Sequence, residues 1–267
     1  MSALLFVAHP DDETVFAGGL IALMTARGAS VHILAATRGE GGETGEPPLC
    51  SRAELGAVRE AELRCAAQAL GAASLEFLDY RDPEVGPDEA LFAFAVDPQG
   101  VAQRIAEVIR ARGPKVLLCH GTNGEYGHPA HRLVNQAARL AADHLAADAP
   151  LLYTFSADYL EHPRPRLANR DDPADFVFDI SPAFKQKLAA ARCHSTQGAL
   201  FVRRISKERG YPVPLEEALL RVETLHCLAP TPEPPGSPPS DVFARWLREN
   251  LSSCMIPFMS RPRPAQG

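Results

Sequence analysis

The sequence predicts an α/β fold: a mostly parallel sheet covered by helices on both faces, in a single domain with a C-terminal extension. Three observations carry this reading. Short apolar runs alternate with amphipathic stretches of helical length from residue 3 to residue 155. Polar clusters rich in His, Asp and Gly directly follow the first and fourth runs. The chain of 267 residues, 46% hydrophobic, can bury a substantial core in one domain plus embellishment. Right-handed crossovers then give a doubly wound, Rossmann-like arrangement, with the first and fourth strands side by side where the winding reverses.

The elements follow in order. The apolar run Ala3 to Ala8 reads as a buried strand, and Pro10 suits a sharp exit from it because it lacks a backbone donor and fixes one dihedral. A helix is expected near Val15 to Arg27 and a strand at Ser30 to Ala36. Gly39 to Gly45 is glycine-rich, but its acidic residues oppose phosphate and it matches no phosphate-loop pattern; a mobile lid is the expectation. The helix Ser51 to Leu70 carries its charges on one side, as a solvated face does. Strand Ser74 to Leu78, helix Asp97 to Arg112 and strand Lys115 to Cys119 come next. Pro129 fits the first position of a helix running to Ala147, with His128 as its N-cap. The fifth strand is Leu151 to Phe155, and Asp158 to Asp175 reads as an irregular excursion from the core. No internal repeat is present. Composition shifts near residue 229, which divides the chain into a main domain (1–228), a stiff proline-rich linker (229–240) and a C-terminal helix and tail (241–267), the last residues disordered.

Composition excludes several classes. A formal net charge of -6 gives no basic footprint for nucleic acid. No segment is apolar enough for long enough to span a bilayer, and polar His9 and Asp11 come too early for a signal peptide, so a cytoplasmic setting is expected. The six cysteines are scattered with no close pair, and free thiols are the default. Association into a homo-oligomer is left open.

Two clusters carry chemistry. His9-Pro10-Asp11-Asp12-Glu13 packs an imidazole and two adjacent carboxylates into one turn after the first strand. His with Asp is a ligand pair that zinc accepts, and a solvated turn whose Asp residues cap the next helix is the bland alternative. In Tyr126-Gly127-His128-Pro129-Ala130-His131, the i, i+3 spacing lets both imidazoles face one side, unless one merely caps the helix and the other sits on its wet face. The topology favours ligation, because both clusters then meet in the crevice outside the carboxyl ends of the first and fourth strands.

These residues resemble the PIG-L or LmbE-like zinc-dependent N-acetylglucosamine deacetylases. The resemblance rests on Ala8-His9-Pro10-Asp11-Asp12-Glu13, Thr37-Arg38-Gly39-Glu40, Arg59-Glu60-Ala61-Glu62-Leu63 before Leu70-Gly71, Gly127-His128-Pro129-Ala130-His131, and a closing motif from Lys187 to Gln197. It covers about residues 3 to 200 and leaves the proline-rich remainder without an account.

The resemblance implies a metal-dependent hydrolase that removes the N-acetyl group from an N-acetylglucosaminyl conjugate, a thiol precursor such as a glucosaminyl malate or inositol among the candidates. Zn2+, with Fe2+ as another option, would be held by His9, Asp12 and His131. Adjacent residues in an extended turn tend to point different ways, which leaves Asp11 free as general base. By resemblance His128, as imidazolium, helps stabilise the oxyanion, and Tyr126 either contacts it or packs at the pocket mouth. Arg59 and Asp82 stand where the family binds the sugar; the alternatives are that Arg59 pairs with Glu60 or Glu62 on an exposed helix face and that Asp82 is a turn residue before Pro83. Only the resemblance promotes His194 to the pocket wall. Glu13 suits capping or ligand orientation, and His120 a supporting place near the site. Two other classes remain: a noncatalytic sugar- or metal-binding protein, disfavoured by Asp11 and His128 beside a complete ligand set, and a cofactor-binding Rossmann-like module, disfavoured by the missing glycine fingerprint after the first strand.

Overall fold

The structure is a computed structural model and describes residues 1–232 and 237–259. Part of the expected proline-rich linker and the expected tail from Ser260 lie outside the described residues.

Strand β1 (Ser2–Val7) is buried on both faces, which is why it reads as an unbroken apolar run. Its alternate residues feed two cores: Ala3, Leu5 and Val7 point to one face of the sheet, and Leu4, Phe6 and Ala8 to the other. Helix α1 (Asp12–Ala26) follows at once, then β2 (Ser30–Thr37), α2 (Leu55–Leu70), β3 (Ser74–Tyr80), α3 (Pro98–Arg112), β4 (Val116–Cys119), α4 (Pro129–Leu145) and β5 (Leu151–Phe155). All five strands are parallel, and β4 pairs with β1 from Ala3↔Val116 to Phe6↔Cys119, the adjacency that the sequence predicts. The first core lies against α1, α2 and two later helices; the second lies beneath α3 and α4.

The chain continues through β6 (Ala157–Asp158), β7 (Asn169–Pro173), β8 (Phe176–Asp179), α5 (Phe184–Cys193), α6 (Gly198–Arg209), α7 (Leu215–Ala218), β9 (Val222–Ala229) and α8 (Val242–Leu251). The complete seven-stranded order is β3-β2-β1-β4-β5-β9-β8, with β9 and β8 antiparallel at one edge, and β6 pairs with β7 in a separate small sheet. Asp241 caps α8 by accepting the N–H groups of Phe243 and Ala244, and Phe243, Ala244, Leu247 and Leu251 bury the apolar stripe of α8 in the first core. No helix among the described residues is long and apolar enough to cross a membrane.

Two findings depart from expectation. Cys65 on α2 and Cys193 at the end of α5 form a disulfide across 128 residues, where free thiols are expected from sequence. Packing of α2 against α5, invisible in the spacing, brings their Cα atoms to 5.7 Å. The Gly39 to Gly45 loop, expected as a lid, is tied down: Arg59 donates to Gly39 O at 3.0 Å, Arg52 to Glu40 O at 3.1 Å and Gln197 to Glu43 O at 2.8 Å.

Helix α1 is fixed by a buried ion pair. Glu223 accepts the backbone N–H groups of Gly19 and Leu20 at 2.8 and 2.7 Å, while Lys187 reaches Glu223 at 2.7 Å and Val15 O at 3.1 Å. Gly19 is required for this fit, since a Cβ there would lie 2.5 Å from Ile180. Both charged side chains are buried, so removing one leaves the other uncompensated. Lys187→Met is expected to cost about 3–5 kcal/mol of stability in denaturant unfolding, with much of it recovered on adding Glu223→Leu. A loss below about 1 kcal/mol would contradict the pairing.

Candidate metal centre

The turn between β1 and α1 separates its two aspartates. Asp11 takes a φ of 120°, a left-handed value unusual for a residue with a Cβ. Its side chain meets the Arg59 guanidinium at 3.1 Å, whereas Asp12, at the start of α1, points inward to the imidazoles. Glu13 locks the turn: it accepts the Asp11 N–H at 2.9 Å and pairs with His194 Nε2 at 2.8 Å.

Four histidines from three segments gather around Asp12. His9 Nδ1 lies 3.4 Å and His120 Nε2 3.2 Å from Asp12 Oδ2, and His131 Nε2 lies 3.3 Å from Asp12 Oδ1. His128 stacks on His131 with ring centroids 4.5 Å apart and stands 4.9 Å from His9. His128 is the N-cap of α4, as expected, accepting the Ala130 N–H at its Nδ1. Among the described residues, two trios bring one ligand atom each within 4.8 Å: His9, His128 and His131, and Asp12, His120 and His131. The expected set of His9, Asp12 and His131 draws on both.

These side chains fit a metal ion. The buried Nε2 of His131 has no hydrogen-bond partner, an arrangement that costs free energy unless another group accepts its lone pair. The electrostatics agree. Burial disfavours charge on His9, yet Asp82 and Asp12 outweigh it and push its pKa up to about 9. Glu125 and Asp12 likewise outweigh burial and push His120 up to about 9. Asp12 is held well below the usual carboxylate range, burial being overcome by His131 and His120. The pocket therefore favours positive charge, whether carried by imidazolium or by a bound cation.

Asp11 behaves differently. Burial raises its pKa to about 6, with Arg59 opposing and Asp12 adding to the rise. His128, expected as an imidazolium, is instead held neutral: burial, then the neighbouring His131 and His9, push its pKa down to about 3. With Nδ1 accepting from Ala130, its remaining proton sits on Nε2. A bound cation would reinforce this neutrality.

The remaining expected residues fall as follows. Tyr126 is half exposed, with its ring 5.7 Å from His128 and 5.6 Å from His131. Its hydroxyl end is desolvated and close to Asp12 and Asp11, so its pKa is raised and it stays protonated. Asp82 lies 3.2 Å from His9 Nε2. Arg59 is buried rather than paired on an exposed helix face, and its guanidinium spans Gly39 O, Pro10 O and Asp11. His194 is fully buried behind the turn, on Glu13, and has no exposed surface.

Sequence reasoning missed Glu125. It is buried, accepting from His120 Nδ1 at 2.9 Å and His131 Nδ1 at 2.6 Å. Its place one residue before Tyr126 was the available signal.

The chain matches the family described as PIG-L, GlcNAc-PI de-N-acetylase, over residues 4–142. It is 38% identical over 157 residues to 1D-myo-inositol 2-acetamido-2-deoxy-alpha-D-glucopyranoside deacetylase 1 of Catenulispora acidiphila, a match covering 52% of this chain and 49% of that protein. The chain thus spans about half the length of the first relatives it matches. The protein of Thermomonospora curvata named as the same deacetylase is 32% identical over 237 residues, 73% of this chain and 80% of the other. Among solved structures, GalB, the 4-carboxy-2-hydroxymuconate hydratase of Pseudomonas putida, superimposes with a TM-score of 0.59 at 24% identity, over 86% of this chain and 96% of that one. That likeness concerns the fold, which hosts more than one chemistry. By the span of the family match and the long alignment to the Thermomonospora protein, the chain belongs to the PIG-L (GlcNAc-PI de-N-acetylase) family.

Proposed function

We propose that this protein is a metal-dependent hydrolase that removes the acetyl group from an N-acetylglucosaminyl conjugate, with Zn2+ as the favoured ion and Fe2+ as the alternative. The observation that carries the reading is the orphaned Nε2 of His131 facing Asp12, with His9, Asp11 and His128 around them. His9, Asp12 and His131 are the ligands. Asp82, 3.2 Å from His9 Nε2, is suited to accept a hydrogen bond from the Nε2–H and leave Nδ1 free. The relatives' names favour an inositol as the sugar's partner group.

A divalent ion with an open position supplies Lewis acidity, acidifying a water and polarising the acetyl carbonyl. Asp11 accepts the proton of the attacking water as the oxygen bonds to the carbonyl carbon, and returns it to the amine nitrogen as the C–N bond breaks and acetate departs. Arg59 holds Asp11 in place for both transfers. His128 donates its Nε2–H to the oxyanion, and the Tyr126 hydroxyl is assigned as a second donor. Arg59 and His194 act from behind this turn, and Asp82 is assigned to the sugar as well as to His9.

The direct experiment follows free-amine release from N-acetylglucosaminyl-inositol and from related acetylated aminosugar conjugates, using protein stripped by a chelator and then restored with Zn2+ or Fe2+. Release that disappears on stripping and returns on restoration is expected. Release from none of them would leave a binding protein.

His128→Ala is expected to lower kcat on the order of a hundred- to a thousandfold while metal content and KM stay near wild type, because the lost donor acts mainly in the transition state. Since His128 is held neutral, its removal leaves the shape of the pH profile unchanged. A variant that matches wild-type kcat, or that fails only through loss of metal, would make His128 a helix cap alone.

A further inference from the structure

We propose that Glu125 is the positioning residue of the metal centre, orienting His131 and His120 through one carboxylate oxygen; the proposal rests on His131 and Asp12 being metal ligands. The four side chains close a ring. Asp12 Oδ1 lies 3.3 Å from His131 Nε2, His131 Nδ1 lies 2.6 Å from Glu125 Oε2, the same oxygen lies 2.9 Å from His120 Nδ1, and His120 Nε2 returns to Asp12 Oδ2 at 3.2 Å. Every member is at most 4% exposed.

One ionised oxygen facing two Nδ1 atoms can only accept, so both imidazoles carry their proton on Nδ1. In the neutral rings that bind a cation, each Nε2 is then the lone-pair nitrogen, and both face Asp12. That of His120 accepts the Ala8 N–H at 3.2 Å, which anchors the strand end just before His9. That of His131 is left for the ion. The second oxygen of Glu125 is fixed independently, accepting the Gly121 N–H at 3.0 Å and the Asn169 amide at 3.1 Å. Asn169 is fully buried and also donates to Phe155 O, so the carboxylate is clamped from β7 and cannot turn to leave either histidine. A single residue thus sets two tautomers and aligns the loop after β4 with the turn after β1.

Glu125→Gln tests this, because the carboxylate accepts with both oxygens and an amide with one, so its NH2 must face either the two Nδ1–H donors or the Gly121 N–H and the Asn169 amide. Metal affinity is measured by chelator competition with Zn2+, the ligand field by the visible spectrum of the Co2+ protein, and folding by thermal unfolding of the metal-free protein. The expected result is a 10- to 100-fold weaker affinity with an altered Co2+ spectrum. A lowered Tm with unchanged Zn2+ affinity and Co2+ spectrum would make Glu125 merely structural and overturn the proposal. If Glu125→Gln does not fold, two other variants carry the same readouts, and the same results support or overturn the proposal. Glu125→Asp keeps the charge but withdraws the carboxylate by one methylene, and Asn169→Ala frees the second oxygen. Failure of the wild-type protein to bind either ion overturns the metal reading and this one with it; equal binding by wild type and variants overturns this one alone.

Discussion

His131→Ala is expected to abolish both metal retention and turnover. His131 is the point where the two candidate ligand trios overlap, and within those trios its Nε2 is a buried nitrogen left without a hydrogen-bond partner. Removing the ring deletes one of three proposed ligands and also empties one side of Glu125, which then faces His120 alone. The metal content of the purified variant, measured by elemental analysis, should fall to background, and amine release should fall to the uncatalysed level. The fold should persist, because α4 keeps its buried stripe of Leu133, Val134, Ala137, Ala138 and Ala141. A variant that retains a full equivalent of metal would remove His131 from the ligand set.

Asp11→Asn should retain metal and lose about two to four orders of magnitude in kcat. The amide keeps the shape and the contact to Arg59 while lacking a basic oxygen. The pH dependence has a definite sign. Burial raises the Asp11 pKa to about 6, so the carboxylate is the basic form above that value and is lost as pH falls through it. Wild-type activity should therefore decline on the acid side with a midpoint no higher than about 6, since a neighbouring cation would move it only downward. That limb should be missing from the Asn variant. Loss of metal in the variant would exchange the roles of Asp11 and Asp12.

Sequence patterns revealed the five parallel strands and the meeting of the two motifs, because a strand buried on both faces leaves an unbroken apolar run and a reversal of winding leaves a fixed adjacency. The antiparallel edge was hidden for the opposite reason. Strand β9 contains Glu223 and His226, and both are buried: Glu223 on Lys187 and the α1 backbone, and His226 on Pro173 O. Such polar interior residues break the apolar signature, and their partners lie tens to hundreds of residues away. The Asp158 to Asp175 stretch read as an irregular excursion for the same reason, yet β7 within it brings Asn169 to Glu125 and Asp172 to Thr122. Glu125 drew no reading from the sequence, since Gly124 and Gly127 around it mark only a loop. Arg59 was read from its motif as a substrate contact; the structure places it buried, with its guanidinium on Gly39 O, Pro10 O and Asp11, contacts that no sequence spacing announces.

Anomalous diffraction at the zinc edge, from crystals of the Zn2+-loaded protein, tests the central claim most directly. One strong peak is expected per chain, about 2.0–2.2 Å from a nitrogen of His9, an oxygen of Asp12 and Nε2 of His131. A peak held by Asp12, His120 and His131 without His9, or one on cysteine sulfur, would contradict the ligand set on which the proposed hydrolysis depends.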